Sequence, residues 1–99
     1  MLLVTTQDQT KTYLIEYFHL NKLEDETYEM IGMARLNVSD TELVHLGYYK
    51  FYKQAISVFG EMDYKDNDLM YFKKTKHVYI MPENILDPQV CISVYGELY

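Results

Sequence analysis

The segment from Ser39 to Gly60 constrains this chain more than any other. Ser39 is a good helix N-cap, and Glu42 follows at the spacing of a capping box. Asp40 and Glu42 suit the positive end of a helix dipole. Val44, Tyr48, Phe51, Ala55, Val58 and Phe59 recur at i, i+3, i+4, i+7 spacing, with Lys50, Lys53 and Gln54 off that stripe. Gly60 is then a natural residue to follow a helix C-terminus. The spacing predicts a helix over about 40–59. Gly47 falls inside it at a cost of roughly 1 kcal/mol relative to Ala, and marks a point where a neighbouring backbone comes close.

Strand-like segments flank this helix. Leu2–Thr6 is a short apolar run, and Gln7–Lys11 a polar connector. Thr12–Phe18 is β-branched and aromatic, with Glu16 its one charge. The run Glu24-Asp25-Glu26 belongs in a hairpin loop, not inside a sheet. Thr27–Leu36 is the next strand candidate; both its faces are mixed, so its pattern fits a helix as well. After the helix, Asp63–Asp68 reads as a polar loop. Leu69–Phe72 and His77–Met81 read as a hairpin about a lysine-rich turn. Pro82 and Pro88 bound a loop. Gln89–Tyr95 alternates Val90, Ile92 and Val94 with Cys91, Ser93 and Tyr95, which predicts a last strand with one core face. The order is β-β-β-α-β-β-β. Grouped strands of this kind predict an α+β fold: a mainly antiparallel sheet of about five to six strands on one principal helix, in one domain over 1–99.

Composition narrows the function classes. The chain carries fifteen acidic and nine basic residues, for a net charge of −6, and Arg35 is its single arginine. Arginine is the preferred residue for bidentate phosphate and base contacts. An acidic chain also repels nucleic acid and anionic membranes in general. A basic protein partner suits this balance. Cys91 is the single cysteine, so no intrachain disulfide forms, as expected of a reducing compartment. Met1–Val4 is a short apolar run without a basic flank, unlike a secretion signal. No segment approaches the roughly 20 apolar residues of a membrane span. These features predict a cytoplasmic protein, in the host cytoplasm if viral.

Motifs that carry chemistry are missing. Asp63, Asp66, Asn67 and Asp68 lack the central Gly and distal Glu of a calcium loop and read as a solvated turn. His19, His45, His77 and Cys91 have no metal-ligand spacing. Cys91 between Val90 and Ile92 reads as a structural thiol, not a nucleophile. The four glycines are dispersed, so no phosphate-cradling loop exists. We therefore expect no catalytic, metal or cofactor residues. Lys73, Lys74 and Lys76, near Tyr71, Phe72 and Tyr79, form the one basic cluster. They fit a grip on single-stranded nucleic acid. They fit better the protection of a sheet edge by lysine.

Eleven tyrosines stand out. They cannot all be core, because a buried phenol needs a partner for its hydroxyl. Tyrosine is enriched at protein interfaces. Tyr49, Tyr52 and Tyr64, with Glu24, Asp25, Glu26, Asp63, Asp66 and Asp68, are the candidate protein-binding residues. AT-rich coding composition, which also favours Lys over Arg, is the competing account of the excess. The residues point to a non-enzymatic acidic binding domain. Inhibitors, immunity proteins, antitoxins and phage or viral accessory proteins share its size and charge. A homo-oligomeric structural module is the alternative. A nucleic-acid-binding protein and an enzyme with a dispersed site rank after it.

One partial likeness accompanies these readings. Thr5-Thr6, then Leu14-Ile15-Glu16-Tyr17, resembles the opening of the YbjQ-type heavy-metal-binding family. Val90–Gly96 is similar to that family's last strand. Together the two cover about a fifth of the chain. The family's Gly-rich middle has no counterpart here, so neither fold, assembly nor function is carried over.

Overall fold

The computed structural model describes residues 1–67 and 78–97. Four strands come first: β1 (Leu2–Thr5), β2 (Thr12–Lys22), β3 (Tyr28–Arg35) and β4 (Thr41–Tyr49). Helix α1 (Tyr52–Asn67), strand β5 (Val78–Ile80) and helix α2 (Pro88–Tyr95) follow. The five strands form one sheet in the order β4-β3-β2-β1-β5. β1 to β4 are an antiparallel meander, and β5 runs parallel to β1, with Leu3 opposite Val78 and Thr5 opposite Ile80. The fold class is α+β, as expected. Among the described residues the order is β-β-β-β-α-β-α, and both this order and a helix after β5 differ from the expected arrangement.

Alternation along the strands builds the core. Leu2, Val4, Ile15, Met30, Ala34, Val44, Leu46 and Tyr49 turn to one face. Helix α1 lays Gln54, Ala55, Val58 and Met62 against that face. Phe18 and Phe59 meet edge to face, with ring centroids 5.3 Å apart. Two register shifts, between Ile15 and Tyr17 and between Met30 and Ile31, bend the sheet. The curl carries the β1–β2 connection round to β4, where the Gln7 amide donates to the Leu46 carbonyl at 2.8 Å. Gly47 is needed there, because a Cβ would come within 3.1 Å of the Gln7 Cβ.

The expected helix over 40–59 is the main correction. Its first half is strand β4, and the helix starts at Tyr52 and runs on through Gly60 to Asn67. Ser39 and Asp40 instead lie in the β3–β4 turn, where Asn37 Oδ1 accepts their amides at 2.9 and 3.0 Å, and Glu42 is in β4. Thr41, Val44, Tyr48 and Tyr49 are β-branched or aromatic and fit a pleated surface. Tertiary pairing with β3 decides the matter in their favour. The loop expected at Asp63–Asp68 is helical as far as Asn67, whose side-chain amide donates to the Asp63 carbonyl at 2.9 Å.

The last expected strand, Gln89–Tyr95, is helix α2. Asp87 caps it by accepting the Gln89 amide at 2.9 Å, and Pro88 occupies its first turn. Val90, Ile92 and Val94, the supposed core face, are exposed, whereas Cys91 is buried. The strand likeness at Val90–Gly96 is lost with it. Of the expected hairpin, Val78–Ile80 is strand. Leu69–Phe72 and the lysine turn with Lys73, Lys74 and Lys76 lie outside the described residues, as do Asp68 and His77. Among the described residues no helix is long and apolar enough to cross a membrane.

Candidate functional site

The outer face of α1 is the first candidate. Tyr52, Ile56 and Tyr64 stay exposed there while the opposite face fills the core. Gly60, Asp63, Tyr64 and Asn67 line a shallow hollow between successive turns. The Tyr52 ring lies 5.4 Å from that of Tyr28, which sets the end of the β2–β3 hairpin beside the start of the helix. That hairpin turn carries Glu24, Asp25 and Glu26, all exposed. The Thr27 hydroxyl and amide donate to the Asp25 carboxylate at 2.6 and 3.0 Å and hold its pKa below the usual range. The acidic turn thus lies beside the Tyr52 end of the exposed helix face, and the two together are termed the α1 strip.

Tyr49 does not belong to it. This side chain is fully buried, and its hydroxyl donates to the Pro82 carbonyl at 2.8 Å. A core tyrosine with a hydrogen-bonded tip cannot offer contact area to a partner. Asp66 is engaged by the chain's amino group at 3.0 Å. Tyr52 thus lies near the acidic turn, while Asp63 and Tyr64 sit three turns further along the same helix.

A cleft of about 530 Å³ lies between the β1–β2 connection and β4. Thr6, Gln7, Asp8, Thr10, Lys11 and Tyr13 form one wall, and every residue from Glu42 to Tyr48 forms the other. Asp8 shapes the first wall. Its carboxylate accepts from the Thr6 hydroxyl at 2.6 Å, the Thr10 hydroxyl at 2.7 Å and the Thr10 amide at 3.1 Å. Led by the Thr6 bond, these donors hold the Asp8 pKa down at about 2. The Asp8-Gln9-Thr10 turn repeats in Asp25-Glu26-Thr27, each with its middle residue at positive φ, 60° at Gln9 and 64° at Glu26. This Asp-x-Thr spacing was a readable turn signal for both loops. Ile56 was also legible, four residues beyond Tyr52 on one helix face.

The outer face of the sheet is the third surface. Tyr17, Leu43, Tyr48, Val78 and Ile80 are exposed on it. Arg35 pairs with Glu16, and His45 with Glu29 at 2.9 Å. His45 also stacks on Tyr48, with ring centroids 3.8 Å apart. His19 is two strands away on β2, separated from His45 by Ile31.

The buried groups offer little reactivity near neutral pH. Burial pushes the Tyr49 hydroxyl pKa well up, with a further contribution from Tyr95. Burial and the nearby Glu61 carboxylate do the same to Tyr79. Cys91 is shut inside the core, without access for a substrate. Among the described residues no group of three His, Cys, Asp or Glu is placed to hold a metal ion. Comparison of the chain with protein families, with curated proteins and with solved structures gives no match.

Proposed function

We propose that this chain is a non-enzymatic protein-binding domain that engages a basic partner through the α1 strip. The carrying observation is the exposure of Tyr52, Ile56 and Tyr64 on one helix face beside the acidic turn Glu24–Glu26. Tyr52 and Tyr64 are three helical turns apart, about 18 Å, a span suited to two anchors within one interface of standard size. The tyrosines supply contact area with a polar tip. The surrounding carboxylates steer a positively charged partner and raise the rate of encounter. Inhibition of a basic enzyme, immunity against a toxin or an accessory role in infection all use such a surface.

The test is affinity capture from the native cell with the intact protein and with Tyr52→Ala and Tyr64→Ala. An anchor tyrosine contributes about 2 kcal/mol, so each substitution weakens capture of the same partner about thirtyfold. Circular dichroism and thermal melting confirm that both variants fold. Undiminished capture by both variants removes the α1 strip as the binding surface. The outer sheet face supports a second reading, self-association, because Tyr17, Leu43, Val78 and Ile80 are each exposed on it. Light scattering decides it: a monomer at high concentration excludes that reading.

A further inference from the structure

The cleft beside β4 has an unusual wall. Side chains of a strand alternate between the two faces of a sheet. A cavity lined by seven consecutive strand residues, Glu42 to Tyr48, therefore runs along the edge of the strand and not over either face. β4 is the terminal strand of the sheet on that side. A bare strand edge presents N–H and C=O groups ready to pair with another chain.

Part of this edge is already occupied by a peptide-like group. The Gln7 side-chain amide accepts the Tyr48 N–H at 2.9 Å and donates back to the Tyr48 carbonyl at 2.9 Å. The Gln7 backbone amide takes the Leu46 carbonyl. One amide thus sits against β4 as a residue of an added strand would. Beyond it, from Glu42 to His45, the outer side of β4 has no strand partner among the described residues. The opposite wall is built and held: Asp8 fixes the Thr6–Thr10 turn through three hydrogen bonds.

We propose that this slot binds an extended, basic peptide segment of another protein, which adds a sixth strand beside β4. Backbone pairing supplies the affinity in such strand addition, and alternate side chains supply selectivity. Side chains on one face of the added strand lie by Val44 and Tyr13, and those on the other by Leu43 and Tyr48. The rim sets the sign of charge. Asp8 and Glu42 outweigh Lys11, and His45 is already paired with Glu29. The site is separate from the α1 strip, so the two proposals stand or fall independently.

The probe is a short acetylated peptide alternating valine and threonine, with lysine at each end, titrated into the ¹⁵N-labelled protein. Saturable amide shifts are expected in Thr6–Tyr13 and Glu42–Tyr48, with slowed hydrogen exchange over Thr41–His45. Two further peptides carry N-methyl groups on alternate residues, one on the odd and one on the even set. Strand pairing tolerates one set and loses binding with the other. Replacing the terminal lysines by glutamates weakens binding about tenfold, as expected for two rim charge pairs reversed. Glu42→Lys, at an exposed position, inverts that preference. Shifts confined to α1 or to the outer sheet face overturn the proposal. So do equal binding of both N-methylated peptides, or no shift at millimolar peptide. Retained peptide binding by Tyr52→Ala and Tyr64→Ala separates this site from the α1 strip.

Discussion

Replacing Gln54 by alanine should destabilise this protein far more than a helix-surface change would. Gln54 is 1% exposed, on the core face of α1. Its Nε2 donates to the Glu83 carbonyl at 2.7 Å, and its Oε1 accepts the Ile85 amide at 2.9 Å. Truncation leaves the Glu83 carbonyl and the Ile85 amide unpaired in a part-buried setting, and each costs about 1–3 kcal/mol where water does not reach it. The sum is about 2–6 kcal/mol. A domain of this size has only about 5–15 kcal/mol in total. Each kcal/mol lowers the melting temperature by about 4–8 °C. A loss near 3 kcal/mol therefore lowers it by about 12–24 °C. Urea unfolding followed by circular dichroism gives the free energy, with Ser57→Ala on the exposed side of α1 as the control. Gln54→Glu keeps the volume and the acceptor but loses the donor to Glu83. It should regain stability as the pH is lowered and its carboxyl takes up a proton. A loss below about 1 kcal/mol for Gln54→Ala would refute the idea that this side chain holds the Pro82–Ile85 segment.

Three further outcomes follow from the same geometry. Asp8 titrates near pH 2 in the folded chain. A depressed carboxyl contributes stability above its unfolded value and loses it as pH falls through the folded one, so Asp8→Asn should flatten the acid limb of stability between about pH 4 and 2; a carboxyl titration by NMR that places Asp8 near its unfolded value contradicts this. Gly47→Ala should cost about 1–3 kcal/mol through overpacking against Gln7 and speed hydrogen exchange in Thr6–Lys11; unchanged exchange would show that Gln7 yields without strain. Cys91 should resist thiol reagents in the native protein and react at once in urea, because it is fully buried; rapid native labelling would contradict its place in the core.

Legibility in the sequence varied with how locally each element was determined. β1 and β2 were readable because their apolar, β-branched and aromatic residues were bounded by polar turns, whereas the mixed faces of Tyr28–Arg35 left β3 open to a helical reading. β4 was not readable. The register shift at Met30/Ile31 places Val44, Leu46 and Tyr49 inward, with Gly47 against Gln7, so the alternation breaks. The broken alternation then merges with the true helical stripe that begins past Phe51. Asp63–Asp68 has the pattern of a loop because its residues are polar and Met62 is the last buried residue of α1. Gly60, expected to follow the helix C-terminus, lies inside the helix, where an added Cβ would meet nothing within 4 Å. α2 did carry a signal, since Asp87-Pro88 is a helix start, but Val90, Ile92 and Val94 imitated a strand. At the candidate strip, the acidic turn was visible in the charge pattern. The burial of Tyr49 depends on Pro82, a contact 33 positions away that no local pattern carries.

The parallel pairing of β1 with β5 ties residues 3–5 to residues 78–80. Such a closure is non-local and slow, because loop entropy must be overcome before the contact contributes. During synthesis, β1 can pair with β2 early, yet its other edge stays bare until Ile80 has left the ribosome. Four-fifths of the chain must therefore emerge before the sheet is complete on that side. The Gln7 and Tyr49 donors to the Pro82 carbonyl, at 3.1 and 2.8 Å, engage two residues later. Assembly thus waits on residues 78–85: a nascent chain halted before Ile80 is a four-stranded fragment with a sticky edge, and one halted just after Ile85 already holds the Pro82, Glu83 and Ile85 partners of Gln7, Tyr49 and Gln54.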